Sequence, residues 1–120
     1  MKFWVPIILF ITLAGCAGEL DTLTESEVKV IEAVFSLAKS TPGMVEKWSR
    51  SCALCHVKGE GGAPKMGDPE AWQSRLSQGN AVLYTHTIEG YNRMPPLGYC
   101  MDCTAEDFAA MINMLVGREQ

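Results

Sequence analysis

Several features are scarce in this 120-residue chain. No run of about 20 apolar residues occurs, the length a bilayer-spanning helix needs. The longest apolar stretch, Phe3 to Leu13, is broken by Pro6 and Thr12. Basic residues are few: ten Lys and Arg against fourteen Asp and Glu give a net charge of −4 with histidine neutral. No basic patch suits nucleic acid. Strand-like alternation of useful length is missing, as is any internal repeat, so an all-α fold is expected. The glycine-rich stretch from Lys58 to Lys65 lacks the P-loop pattern. Its glycines are better suited to letting backbone pass close to a flat group.

What is present begins with an export signal. Met1-Lys2, the short apolar run and the small residues that end it have the form of a secretory leader. Leu13-Ala14-Gly15-Cys16 resembles the lipobox of bacterial lipoproteins. That resemblance implies cleavage after residue 15, lipidation of Cys16 and acylation of its new amine. The alternative is an ordinary cut nearby, leaving a stray thiol. Ala17, rather than aspartate, leans the sorting toward the outer membrane. Without residues 1–15 the chain has 105 residues and a net charge of −5. That is one small acidic domain, suited to a partner with a positive docking face. Residues 16–23 would form a short tether, its seven residues after Cys16 reaching about 15 Å.

Thr24-Glu25-Ser26-Glu27 has the form of a capping box, predicting a helix to about Ser40. Residues 24–42 are thus an additional N-terminal helical unit. On a helical wheel Val28, Val30, Ile31, Val34, Phe35, Leu37 and Ala38 fill one half, a stripe that must bury against something. Its own domain is the simplest choice, and a partner is the alternative. The two lysines of the polar face are too few for a membrane-lying helix. Thr41-Pro42-Gly43 is expected to end this helix, and a second to run from Met44 into Cys52 with Trp48 on the same face. Asp68-Pro69 should open a third helix that Gly79 stops, and Asn80 a fourth that runs to Gly90. Tyr91 to Gly98 cannot be helical across Pro95 and Pro96. Thr104 should cap a last helix carrying Phe108, Met111, Ile112, Leu115 and Val116 at helical spacing.

The chemistry lies in the five cysteines. Cys52-Ala53-Leu54-Cys55-His56 is the pattern of covalent c-type haem attachment. Positions i and i+3 of one helical turn share a face, so two sulfurs can reach the two vinyl groups of one porphyrin. His56 then offers a proximal imidazole to the iron. Cys100-Met101-Asp102-Cys103 reads as a local disulfide in an oxidising compartment. The rival is a zinc site made of both pairs. However, 44 residues lie between Cys55 and Cys100, against the roughly 15–20 of a zinc ribbon.

For the far side of the iron Met94 is the leading candidate, because Pro95 forces it into extended backbone. A thioether opposite imidazole raises the potential, which suits electron transfer. Met66, Met101, Met111 and Met114 compete by residue type alone, and Met111 falls on the apolar stripe of the last helix. His86 is the other competitor. A lone histidine on an amphipathic helix is more often a surface or satisfied core residue than a ligand.

Trp48, the Cys52–His56 motif, Gly62-Ala63-Pro64-Lys65, Gly67-Asp68, Trp72, Met94-Pro95-Pro96 and Cys100-Met101-Asp102-Cys103-Thr104 occur in one order. Together they resemble the class I c-type cytochromes, and within them the small bacterial cytochromes of the c-five type, over about Gly43 to Gly117. The resemblance implies several helices around one covalent haem in residues 43–120, with the first and last core helices crossing. It implies that the Pro64 carbonyl orients His56, that Trp48 belongs to the haem environment, and that Cys100 and Cys103 are bridged. Members often carry a small residue four positions before the aromatic. Met44 stands there, with Gly43 beside it, so a shifted or looser crossing is expected. The function implied is one-electron transfer between redox proteins of the bacterial envelope, facing the periplasm, without a catalytic constellation. A haem enzyme or gas sensor with an open or labile sixth position, and a zinc- or disulfide-stapled lipoprotein, are the alternatives.

Overall fold

The computed structural model describes residues 23–118. The leader, the lipobox and Cys16 lie outside the described residues. Six α-helices fill this span: α1 Glu25–Leu37, α2 Pro42–Ser49, α3 Ala53–His56, α4 Pro69–Leu76, α5 Asn80–Glu89 and α6 Ala105–Leu115. Two short 3-10 turns, Glu60–Gly62 and Pro96–Tyr99, sit in the connections.

Local chemistry sets most boundaries. Thr24 caps α1 reciprocally: the Glu27 N–H donates to Thr24 Oγ1 at 3.3 Å and the Thr24 N–H to Glu27 Oε2 at 2.7 Å. Thr104 and Asp107 repeat the arrangement on α6. Asp68 accepts from the first N–H groups of α4, with Pro69 at its first position. Other boundaries differ from expectation. Helix α1 stops at Leu37, and Ala38 is extended. Thr41-Pro42 does not end α1 but starts α2: Thr41 Oγ1 accepts from the Met44 N–H at 3.1 Å. Helix α2 does not reach Cys52, because Arg50 leaves helical torsions (φ −95°, ψ 0°) and a turn intervenes before α3. Gly79, rather than Asn80, occupies the cap of α5. The Asn80 side chain instead joins Glu32 of α1 to Arg118, donating to one and accepting from the other.

Helix α6 is the centre of the packing. Phe108 through Asn113 are buried, and α1, α2 and α5 pack against it. The core gathers Phe35, Ala38, Met44, Cys52, Leu83, Phe108 and Met111. Met44 itself enters this core, whereas a Cβ on Gly43 would meet nothing within 4 Å. The neighbouring glycine therefore does not take over a close-crossing role. Phe35 meets Tyr84 of α5 edge to face, ring centres 6.4 Å apart. The expected apolar half of α1 is narrower than the wheel implied. Val30 and Leu37 are 64% and 76% exposed, leaving Ile31, Val34, Phe35 and Ala38 to make the packed seam.

Polar contacts brace the opposite side. Lys47 Nζ donates to Asp107 Oδ2 at 2.6 Å and to the Asp102 carbonyl at 3.0 Å, fastening α2 to the start of α6. Arg50 holds both carboxylate oxygens of Asp102.

Candidate functional site

A cavity of about 490 Å³ opens between α3, α4, α5 and the Tyr91–Tyr99 segment. That size lies within the roughly 300–1,000 Å³ of cofactor pockets. Cys52, Cys55, His56, Pro64 and Met94 all line it. The chain is already helical at Cys52 (φ −56°, ψ −40°), and its carbonyl accepts from the N–H groups of Cys55 and His56 at 3.2 and 3.0 Å. The two sulfurs thus share a single turn, as the spacing predicts. Both thiols are free.

His56 is buried, with Nδ1 2.8 Å from the Pro64 carbonyl oxygen. A carbonyl can only accept, so Nδ1 carries the proton and Nε2 keeps its lone pair. Burial pushes the His56 pKa down, and nearby Arg75 adds to this against the opposing Pro64 hydrogen bond. The ring is therefore a neutral donor. Trp72 stacks on it with centres 5.8 Å apart and planes 21° off parallel. The Trp72 Nε1–H is spent on the Lys65 carbonyl at 2.7 Å, which fixes the indole. This support of the imidazole was not assigned from sequence. The signal was the Asp68-Pro69 start, which places Trp72 on the inner side of a short helix. Burial also raises the Cys52 thiol pKa, opposed by a weak Ser51 hydrogen bond.

Met94 reaches the cavity from the segment after α5. Tyr91 and Met94 exchange two backbone hydrogen bonds, at 3.1 and 2.9 Å, closing a tight turn. After Pro95-Pro96 the backbone is left-handed at three successive residues, Leu97 (φ 60°), Gly98 (φ 53°) and Tyr99 (φ 66°). Such torsions are strained for Leu and Tyr. They bring Gly98 so close that a Cβ there would stand 3.3 Å from the Met94 methyl and 3.8 Å from Cys52 Sγ. The Met94 side chain and the first thiol thus meet beside Gly98.

The other candidates fall elsewhere. Met111 is buried in the core, 3.8 Å from Cys52 Sγ. Met66 and Met101 are 39% and 78% exposed, and Met114 does not line the cavity. His86 does line it, half-buried, with its ring face stacked on Tyr91. Trp48 packs against the core and is not among the residues lining the cavity. Cys100 and Cys103 are joined in a disulfide. That removes two of the four thiols a zinc site would use, and no metal-ligating cluster of three or more His, Cys, Asp or Glu occurs among the described residues. Two free thiols on one turn, a neutral imidazole with a defined tautomer and a thioether lining the same cavity are a donor set that fits haem and does not fit zinc.

Comparison with known proteins agrees. Residues 42–114 match the family described as cytochrome C oxidase, cbb3-type, subunit III. Cytochrome c5 of Azotobacter vinelandii is 35% identical over 82 residues, 67% of this chain and 95% of that one. Cytochrome c-555 of Chlorobaculum tepidum is 35% identical over 77 residues, 61% of this chain and 71% of that one. Among solved structures, a chain from an electron transfer complex of nitrite reductase with cytochrome c superposes with a TM-score of 0.57 at 31% identity. That match covers 68% of this chain and all of the other. Helix α1 lies outside the matched family range. The chain belongs to the small class I c-type cytochromes, all-α electron carriers with one covalently attached haem c.

Proposed function

We propose that this cytochrome is a lipid-anchored, one-electron shuttle of the bacterial envelope whose haem is held by Cys52 and Cys55 and ligated axially by His56 and Met94. The carrying observation is that these four side chains line one cavity. When bound, the haem iron supplies a ferric/ferrous couple. The protein residues do the rest. Pro64 and Trp72 hold the His56 ring from its edge and its face. The left-handed run at Leu97–Tyr99 packs Gly98 under the Met94 methyl. Met94 is half-buried and would close the sixth position of the iron, so that no acid–base pair is needed.

The anchor is the reading of Cys16, with residues 1–15 as leader, 16–23 as tether, 24–42 as the added helix and 43–120 as the cytochrome domain. No helix among the described residues is long and apolar enough to cross a membrane, so membrane attachment in this reading rests on lipid at Cys16. The protein then faces the periplasm, with the outer membrane favoured by Ala17. Donor and acceptor are redox proteins. Overall acidity steers a positively charged partner at long range, while the charged groups of the cavity wall itself are mixed: Glu60, Arg75 and Arg93.

The test is spectroscopic. Purified ferric protein should show the weak far-red band of sulfur-ligated haem, and Met94→Ala should abolish it while covalent haem remains. A parent protein without that band overturns the methionine assignment. Loss of membrane attachment in Cys16→Ser tests the anchor separately.

A further inference from the structure

The segment that carries Met94 hangs from α5 by a glycine. Gly90 follows Glu89 with φ 87°, where glycine has little torsional resistance. The two hydrogen bonds between Tyr91 and Met94 are internal to the turn. They fix its shape, and the Gly90 backbone lies so close to Met94 and Pro96 that a Cβ there would stand 2.8 Å from the Met94 carbonyl oxygen. A side-chain contact across the same junction adds to this in holding the thioether in one direction.

His86 provides it. It lies on the last turn of α5, and its imidazole stacks on the Tyr91 ring with centres 3.9 Å apart and planes 17° off parallel. His86, Tyr91 and Met94 line the same cavity. The stack bridges a helix and a turn, so it converts α5 into a stop for the turn. Tyr91 is 47% exposed, and the imidazole is the aromatic ring it packs on.

We propose that His86 is a positioning residue: its stack on Tyr91 locks the Tyr91–Met94 turn against α5 and so fixes the approach of the Met94 thioether. This rests on the reading of Met94 as a ligand. The role needs the flat face of the ring rather than its nitrogens. It also places the second histidine of the chain in service of the methionine rather than in competition with it.

The experiment uses covalent holoprotein and imidazole as a competing ligand. His86→Ala should weaken the far-red band, lower the reduction potential and raise the apparent affinity for imidazole about two- to tenfold, the range expected for one aromatic stack. Tyr91→Ala removes the same contact from a half-exposed position, where folding is tolerant, and should do the same. The double variant should add little to either single change. His86→Phe and Tyr91→Phe keep a stack and should stay near the parent. A parent with the band whose His86→Ala and Tyr91→Ala variants match it in imidazole affinity overturns this role alone. Additive effects, or a His86→Phe variant as impaired as His86→Ala, overturn it too. A parent without the band overturns the Met94 reading and this role together.

Discussion

The side-chain amide of Asn113 donates a hydrogen bond to the carbonyl of Phe35 across 3.1 Å, joining residues 78 positions apart. Phe35 lies in the last turn of α1, where carbonyls have no partner within the helix. Asn113 thus closes the C-terminal end of α1 from inside the core. Asn113→Ala leaves that buried carbonyl unsatisfied and should lower stability by about 1–3 kcal/mol. Hydrogen exchange should quicken across Glu25–Leu37 with the haem spectrum unchanged. Unaltered exchange in α1 would show that apolar contacts alone retain it.

Lys47 and Asp107 give a pH dependence with a defined sign. Burial raises the Asp107 pKa, but hydrogen bonds from Lys47 and Thr104 outweigh it and hold the carboxyl below its ordinary value. A carboxyl depressed in the folded state adds stability above its unfolded pKa, and that stability is lost as pH falls through the folded one. Asp107→Asn should therefore destabilise at neutral pH and reduce the loss of stability on acidification below about pH 4. Urea titrations at pH 7 and pH 3 measure both. Parallel acid profiles would place the acid-sensitive group elsewhere.

Gly90 has no substitute in its setting. A Cβ there would stand 2.8 Å from the Met94 carbonyl oxygen and 3.0 Å from the Pro96 nitrogen, both backbone atoms that cannot step aside. Gly90→Ala should cost more than about 1 kcal/mol and reduce the far-red band. The analogous Gly43→Ala meets open space and should be close to neutral or slightly stabilising in thermal melts. Equal behaviour of the two would refute the close approach at Gly90.

Much of this was legible in the sequence because short-range chemistry leaves short-range signals. The Thr24/Glu27 and Thr104/Asp107 boxes and the Asp68-Pro69 start are written within four residues. So is the haem motif, whose meaning needs only one turn of helix. Thr41-Pro42 misled because proline both ends one helix and opens the next, and only the position of Met44 in the core decides which. The helical wheel overcounted α1 because Val30 and Leu37 are apolar by type while the facing helices cover a narrower strip. The left-handed torsions at Leu97 and Tyr99 had no signal, since neither residue favours them. The Lys47–Asp107 pair and the His86–Tyr91 stack depend on chain reversal, which spacing does not reveal.

The Cys100–Cys103 bridge has a consequence for how the chain is made. Each cysteine pair can close a loop of a few residues, whereas cross-pairing must close one of more than forty. By loop entropy alone the cross-pair is disfavoured by about 2 kcal/mol. Local closure therefore sorts the thiols before any fold exists. Once α6 packs, Cys52 and Cys100 are covered while Cys55 and Cys103 stay partly open. Each pair thus keeps one reachable sulfur, and access does not tell the pairs apart. Loop length, rather than burial, is what keeps the thiols for attachment from being drawn into the wrong bridge.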